Sequence, residues 1–421
     1  MAGDYQTAGR DGLDQALLRF IEARREELVR FASELIATPS ITPPGDERAV
    51  VALLLSRLPE LGLVGAEVVG PTSDRPSLLY RLRGRSGKPT LLYNGHVDTK
   101  PVGKEAASEW RTDPLCPTIR EGRLFGLGSA DMKGAVAAMV YAAAALKAIV
   151  PEREGDLLLA LTADEEGGGE NGASFLCRQG YIKADFGLIG EPSGVRREWE
   201  YLHLISRGMC FFRIKVRGTQ MHSSISNILP CVNASVKMAQ VLTRLSRDLK
   251  LTYEPHPLCP FGVTVNPGVM VKGGVFYGVN PGYAEFASDI RVIPGMTLEG
   301  VKQDLERFLD VLRAEDPQLD AELEFESVQP WIPPTEIAAD HPLVRALADS
   351  SRVVLGQAPP LSAYPATTDS PKFELIAGIP VVPSFGPGII TLAHGPNEWV
   401  GVESIIQAAK IYALAAWRLL A

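Results

Sequence analysis

The 421-residue chain reads as an α/β protein with a largely parallel sheet, into which a second domain of ferredoxin-like α+β order is inserted. Three observations predict this. Short apolar runs alternate with helical stretches up to residue 190, the pattern changes to β-α-β-β-α-β near residue 208, and the first style returns after WIPP (331–334). Alternating strands and helices bring consecutive strands together in parallel, because each helix carries the chain back over the sheet. The length also exceeds what a single hydrophobic core usually serves, so two domains are expected.

The elements follow in order. Residues 12–38 place Leu13, Leu17, Ile21, Leu28, Phe31 and Leu35 at roughly helical spacing, and TPSITPPGDE (38–47) ends that run with three prolines and a glycine. A second helix is predicted over 47–58. The runs SLLYRL (77–82), TLLYNG (90–95), LLLALT (157–162) and FGLIG (186–190) read as strands, with helices over 134–148 and 172–178 among them. Residues 134–150 are the most membrane-like stretch, yet Lys147 interrupts them and they fall short of the ~20 apolar residues of a span. A buried helix is the expectation.

In the middle of the chain, CFFRIKVRG, GVTVNPGVMVKGG, YAEFASDIRVI and AELEFES read as four strands. NASVKMAQVLTRLSRDL and TLEGVKQDLERFLDVLRAE read as amphipathic helices between them. That is the split β-α-β unit. The domain boundaries predicted are therefore 1–207 and 329–421 for one domain and 208–328 for the insertion. The last part carries SRVVLG, IPVVPSFG and a final helix over 401–420.

Composition narrows the function. With 46% hydrophobic and 22% charged residues the chain is globular, and a net charge of −8 with no basic cluster argues against a nucleic-acid partner. The five cysteines are odd in number and show no CxxC spacing, which points to a reducing compartment rather than to disulfides or a thiolate metal site. The start, MAGDYQTAGRDGLDQ, has no apolar signal region. A cytoplasmic protein with no membrane partner is expected.

The run LLLALTADEEGGGE (157–170) raises the functional question, because a buried strand ends in Asp164, Glu165 and Glu166. Adjacent carboxylates repel, and burying them is costly unless cations or hydrogen bonds compensate. Four other motifs carry His or acid: NGHVD (94–98), SADMKG (129–134), IGEPS (189–193) and LAHGPNE (392–398). Most follow apolar runs, and ligands of open α/β sheets bind beyond the carboxyl ends of the strands. A single such residue is more often solvated or hydrogen-bonded than a ligand; all five motifs in this order are far more specific.

Together GHVDTKPVG, GSADMKGA, TADEEGGG, IGEPS and HGPNE resemble the signature set of the M20 metallopeptidase and aminoacylase family, which includes acetylornithine deacetylases and succinyl-diaminopimelate desuccinylases. The resemblance runs from about residue 25 to the C-terminus. It implies a catalytic domain holding two zinc ions, with cobalt able to substitute, and an inserted lid and dimerisation domain. His96 and Glu191 would bind one zinc, Glu166 and His394 the other, and Asp131 would bridge them, preceding a non-proline cis peptide to Met132. Asp98 would orient the His96 imidazole and Glu165 would be the general base, leaving Asp164 a structural part.

In the insertion, the resemblance makes His222 the oxyanion donor to the partner subunit of a homodimer, and Asn280 and Arg291 the binders of the substrate carboxylate. The activity implied is removal of the acyl group from an N-acyl amino acid, of deacetylase or desuccinylase type, by attack of zinc-bound hydroxide; the alternative is a dipeptidase or carboxypeptidase on the same metals. Two positions depart from the family pattern, Leu127 where arginine is usual and Lys100 where an apolar residue is usual. Lys100 is a candidate for altering acyl preference, and the role of Asp369 in TTDSPKF (367–373) is open.

Overall fold

A computed structural model describes residues 10–103 and 106–421. Residues 1–9, on which part of the reading of the N-terminus rests, lie outside the described residues. The chain forms two compact units, one comprising the residues up to Ser206 with Glu336–Tyr364 and Thr368–Ala421, the other Arg207–Thr335 with Pro365–Thr367.

The first unit is built on a six-stranded sheet in the order Glu67–Val69, Ser77–Leu82, Asp156–Thr162, Thr90–His96, Phe186–Ile189, Val381–Val382. Thr90–His96 runs parallel to both neighbours, and Val381–Val382 continues the parallel set. Ser77–Leu82 and Glu67–Val69 add an antiparallel edge. Every residue of Thr90–His96 and Asp156–Thr162 is buried, which is why both read as continuous apolar runs rather than alternating ones: a parallel core is covered on both faces.

Alternation along the strands decides which helix meets which face. Leu92, Leu158, Ala160 and Ile189 pack with Ala173, Leu176 and Cys177 of the helix Ala173–Arg178 and with Phe373 of the helix Ser370–Ala377. On the other face Tyr93 meets Tyr412 of the helix Val402–Leu420, ring centroids 5.5 Å apart, and its hydroxyl donates to the Tyr412 carbonyl at 2.7 Å. The helix Gly134–Ile149 is apolar all round because it is buried all round from Gly134 to Leu146. Ser129–Ile149 is long and apolar enough to cross a membrane by length and composition alone, but 83% of that window is buried inside the protein.

Two glycines let this helix lie close to the strand ends that carry site residues. A Cβ at Gly95 would fall 2.9 Å from Val136 Cγ2, and one at Gly190 would fall 2.6 Å from Met139 Cε. Each stands immediately before a site residue, His96 or Glu191, so the small residue and the functional one are placed by the same close approach.

The structure corrects the long N-terminal helix. It is two helices, Arg10–Glu22 and Arg25–Ala37, separated at Arg24, whose φ of −114° and ψ of 17° are non-helical. The apolar spacing continues through the break, which hid it.

In the second unit the antiparallel strands lie in the order Thr264–Gly273, Tyr283–Val292, Gly208–Arg217, Asp320–Phe325, with the helices Ala234–Asp248 and Leu298–Glu315 between them in sequence. Burial alternates strictly along Gly208–Val216, the mark of a sheet with one covered face. The unit runs to Thr335 rather than 328, because Trp331 and Ile332 pair with Cys210 and Met209.

Candidate metal centre

In the first unit the chain brings His96, Asp131, Glu166, Glu191 and His394 together. His96 ends a parallel strand and Glu166 follows another in a 3-10 turn. Glu191 follows the strand Phe186–Ile189, so three of the five stand beyond strand carboxyl ends. Asp131 enters from an irregular turn before the buried helix, with a cis Asp131–Met132 peptide as expected. His394 sits in a loop with a φ of 61°.

The arrangement is two-sided. His96 Nε2 lies 2.9 Å from Asp131 Oδ1 and 3.5 Å from Glu191 Oε1. His394 Nε2 lies 3.3 Å from Asp131 Oδ2 and 2.9 Å from Glu166 Oε1. Asp131 thus offers one oxygen to each of two His–Glu pairs. Ligand atoms of His96, Asp131 and Glu166 lie within 4.8 Å of one another, as do those of His96, Glu165 and Glu191.

Electrostatics make this a cation site. Burial pushes the Glu191 carboxyl up to about 7, with the Asp131 charge adding and His96 opposing. Glu165 is raised well above the usual range by burial, then by the charges of Glu191, Asp369 and Glu166, against His96. Burial opposes protonation of His394, yet its hydrogen bonds to Asp131 and Glu166 push it up to about 10. Four carboxylates this close keep their charge only with positive charge among them, which imidazolium supplies partly and divalent ions supply fully. Imidazole nitrogen and carboxylate oxygen are also normal zinc donors, so the residues fit a two-metal site.

The supporting shell is made of backbone N–H groups on buried carboxylates. Asp98, fully buried, accepts the N–H groups of Glu165 and Glu166, each at 3.1 Å. His96 Nδ1 is nearer the Asp98 carbonyl, at 3.0 Å, than its carboxylate, at 3.6 Å. Asp98 therefore holds the turn of Glu165 and Glu166 as well as facing the imidazole. Asp164, at φ 66°, accepts both the N–H and the side-chain amide of Asn171 at 2.8 Å and pairs with Arg75. Arg75 also meets Glu47 at 3.0 Å, and a Cβ on Gly45 would land 1.0 Å from its Nη1.

All three groups are buried, and burial already pushes the Glu47 carboxyl up to about 7 against the Arg75 charge, so removing the guanidinium leaves Asp164 and Glu47 without their buried cation. Arg75→Ala is expected to destabilise the protein by about 3–5 kcal/mol. Urea unfolding checks this, and a loss below about 1 kcal/mol would show that Asp164 is held by Asn171 alone.

Three residues near the centre had no role in the sequence reading. Glu398 is 1% exposed and accepts three backbone N–H groups of the Asp131 turn. The Tyr364 hydroxyl donates to Glu191 Oε2 at 3.4 Å, and Ser384 Oγ donates to the Glu191 carbonyl at 3.2 Å. Only Glu398 left a trace, as the acid closing HGPNE. Lys100 reaches back to the metal-site turn, 3.2 Å from Glu166 Oε2, and donates to the Glu166 carbonyl while remaining partly exposed. Asp369 is buried and pairs with Lys372 at 3.3 Å.

The remaining site residues belong to the second unit. His222 is exposed, and its Nδ1 accepts the Ser224 N–H at 3.2 Å. Because a backbone N–H can only donate, the neutral imidazole carries its proton on Nε2. Arg291, partly exposed, has a long 3.7 Å contact with Asp289. Asn280 is 5% exposed and its amide nitrogen donates to the carbonyls of Thr219 and Val232 at 2.6 and 3.2 Å, which braces the turn that bears His222.

Residues 92–418 match peptidase family M20/M25/M40. A succinyl-diaminopimelate desuccinylase from Methylobacillus flagellatus is 30% identical over 400 residues, covering 93% of this chain and 99% of the relative. An N-formyl-4-amino-5-aminomethyl-2-methylpyrimidine deformylase from Bacillus subtilis is 27% identical over 424 residues, covering 94% and 95%. In three dimensions the chain is similar to an M20 family metallo-carboxypeptidase from Sulfolobus solfataricus, with a TM-score of 0.74, 20% identity, and coverage of 94% and 99%. The chain belongs to peptidase family M20/M25/M40, a family of metal-dependent hydrolases of amide bonds.

Proposed function

We propose that this protein removes the acyl group from an N-acyl amino acid, using two zinc ions per subunit, and that it works as a homodimer in the cytoplasm. The observation that carries the reading is Asp131, whose two oxygens face His96 and His394 separately, each histidine in turn lying against a glutamate, Glu191 or Glu166. His96, Glu191 and Asp131 would hold one ion; Glu166, His394 and Asp131 the second. When bound, the ions polarise the attacking water and the amide carbonyl. The desuccinylase and deformylase relatives support cleavage of an acyl–nitrogen bond.

The rest of the chemistry falls to the chain. Glu165 stands beside the His96–Glu191 pair without a hydrogen bond to it, so its carboxylate takes the proton of the attacking water and delivers it to the leaving amine. A raised affinity for the proton suits that second half of the task. His222 presents an N–H from Nε2, the group needed to stabilise the oxyanion of the tetrahedral intermediate. Arg291 provides a planar guanidinium for the substrate carboxylate.

In this reading the inserted unit is a lid and dimerisation domain of ferredoxin-like order, with His222 serving the partner subunit. Its surface supports that role. The edge strand Thr264–Gly273 exposes Val269, Met270 and Val271, and Ile228, Leu229, Phe276 and Tyr277 are exposed in the segments that follow His222 and precede its partner strand Val279–Asn280. A long apolar edge is an invitation to pair with another chain.

The test is a hydrolysis panel on chelated protein restored with zinc or cobalt, containing N-acetyl-ornithine, N-succinyl-diaminopimelate, further N-acyl amino acids and dipeptides. Metal-dependent cleavage of N-acyl amino acids is expected. Cleavage of dipeptides alone would move the protein to the dipeptidase or carboxypeptidase branch.

Lys100 bears on the acyl group. Its partly exposed ammonium beside Glu166 would favour an anionic acyl chain such as succinyl. Lys100→Met is expected to raise KM about 10-fold or more for N-succinyl substrates, the scale of one charged hydrogen bond, and to leave N-acetyl substrates within about 2-fold. Equal effects on both would mean that Lys100 acts on the metal site instead.

A further inference from the structure

We infer that Glu398 is a positioning residue of the metal centre, its buried carboxylate clamping the turn that carries Asp131. Three backbone N–H groups converge on this one side chain: Gly128 on Oε2 at 3.0 Å, and Ala130 and Asp131 on Oε1 at 2.8 and 3.1 Å. The Glu398 carbonyl takes a fourth, from Gly126, at 3.1 Å. The inference rests on the reading of Asp131 as a shared ligand.

The turn needs such an acceptor. Gly128 has a φ of 76°, and Asp131 and Met132 depart from helical geometry just before the buried helix begins. The N–H groups of Gly128, Ala130 and Asp131 precede the first helical hydrogen bonds and are shut away from water, so without a partner each would be a buried orphan donor. A single carboxylate satisfies three of them and fixes their directions at once. That sets the Asp131 backbone, and with it the orientation of the two oxygens that face His96 and His394.

The clamp also joins two segments about 270 residues apart in the chain. Glu398 stands four residues after His394 in HGPNE, so one segment supplies a ligand to one ion and holds the turn of the residue that faces both. Asp131 Oδ2 and His394 Nε2, 3.3 Å apart, are thereby set by the same piece of backbone. This accounts for a fully buried acid that touches none of the candidate ligand atoms by a hydrogen bond.

The test uses Co²⁺ as the probe on chelated protein, with affinity read by competition against a chromophoric chelator and geometry read from the visible cobalt spectrum. Glu398→Gln keeps the volume but turns an amide donor toward the N–H groups; Glu398→Asp keeps the charge but shortens the reach. Both are expected to bind Co²⁺ about 10–100-fold more weakly than wild type, with an altered cobalt spectrum. A folded Glu398→Gln protein with wild-type affinity and spectrum overturns the inference. Should neither variant fold, amide exchange of chelated wild-type protein decides: protected N–H groups at Gly128, Ala130 and Asp131 support the clamp, and rapid exchange there overturns it. Wild-type protein binding fewer than two Co²⁺ would instead sink the metal reading, and is seen before any variant is made.

Discussion

Glu165→Gln is expected to bind its full complement of metal and to lose about 10²–10⁴-fold in kcat. The reason is positional. Glu166 makes a 2.9 Å contact with His394, while its neighbour Glu165 makes no such contact with either candidate histidine and receives its placement from the Asp98 carboxylate on its N–H. Replacing the carboxylate by an amide keeps the shape and removes only the ability to carry a proton from water to the departing nitrogen. The paired measurement is metal content and kcat on the best N-acyl substrate. Loss of one metal along with activity would make Glu165 a ligand, and retained turnover would leave the base unassigned.

The second large effect concerns His222. Removing an oxyanion donor costs roughly 10²–10³-fold in kcat, so His222→Ala is expected to be nearly inactive with normal metal content. Mixing it with Glu165→Ala separates action within a subunit from action across a dimer. If His222 serves the partner, each mixed dimer holds one site with an intact Glu165 and a His222 from the other chain. Activity then returns to roughly a quarter of wild type, because half of randomly paired dimers are mixed and each has one working site of two. If His222 serves its own chain, every mixed site lacks one group and nothing returns.

Much of the fold was legible because burial leaves patterns in the sequence. LLLALT and TLLYNG are continuous apolar runs since they are covered on both faces, and CFFRIKVRG alternates since its sheet is covered on one. The break at Arg24 was not legible, because the apolar stripe runs on through two helices without a proline or glycine to mark the change. At the site, residues that offer side-chain donors to an ion stood out by type and by position after strands. Glu398 and the second use of Asp98 did not, because their partners are backbone N–H groups, which every residue has. The hydrogen bonds of Asn280 to Thr219 and Val232 were hidden in the same way, since both partners are backbone carbonyls. Tyr364 and Lys100 act through contacts that only the tertiary structure makes.

Five residues from five separated parts of the chain are assigned to two ions around Asp131. Metal content per chain, measured on protein chelated and then restored with zinc, tests that assignment most directly when wild type is compared with Glu191→Ala and His394→Ala. Two zinc ions are expected in wild type and one in each variant, with hydrolysis of N-acyl amino acids lost in both. A single ion in wild type, or two ions retained in both variants, would contradict it.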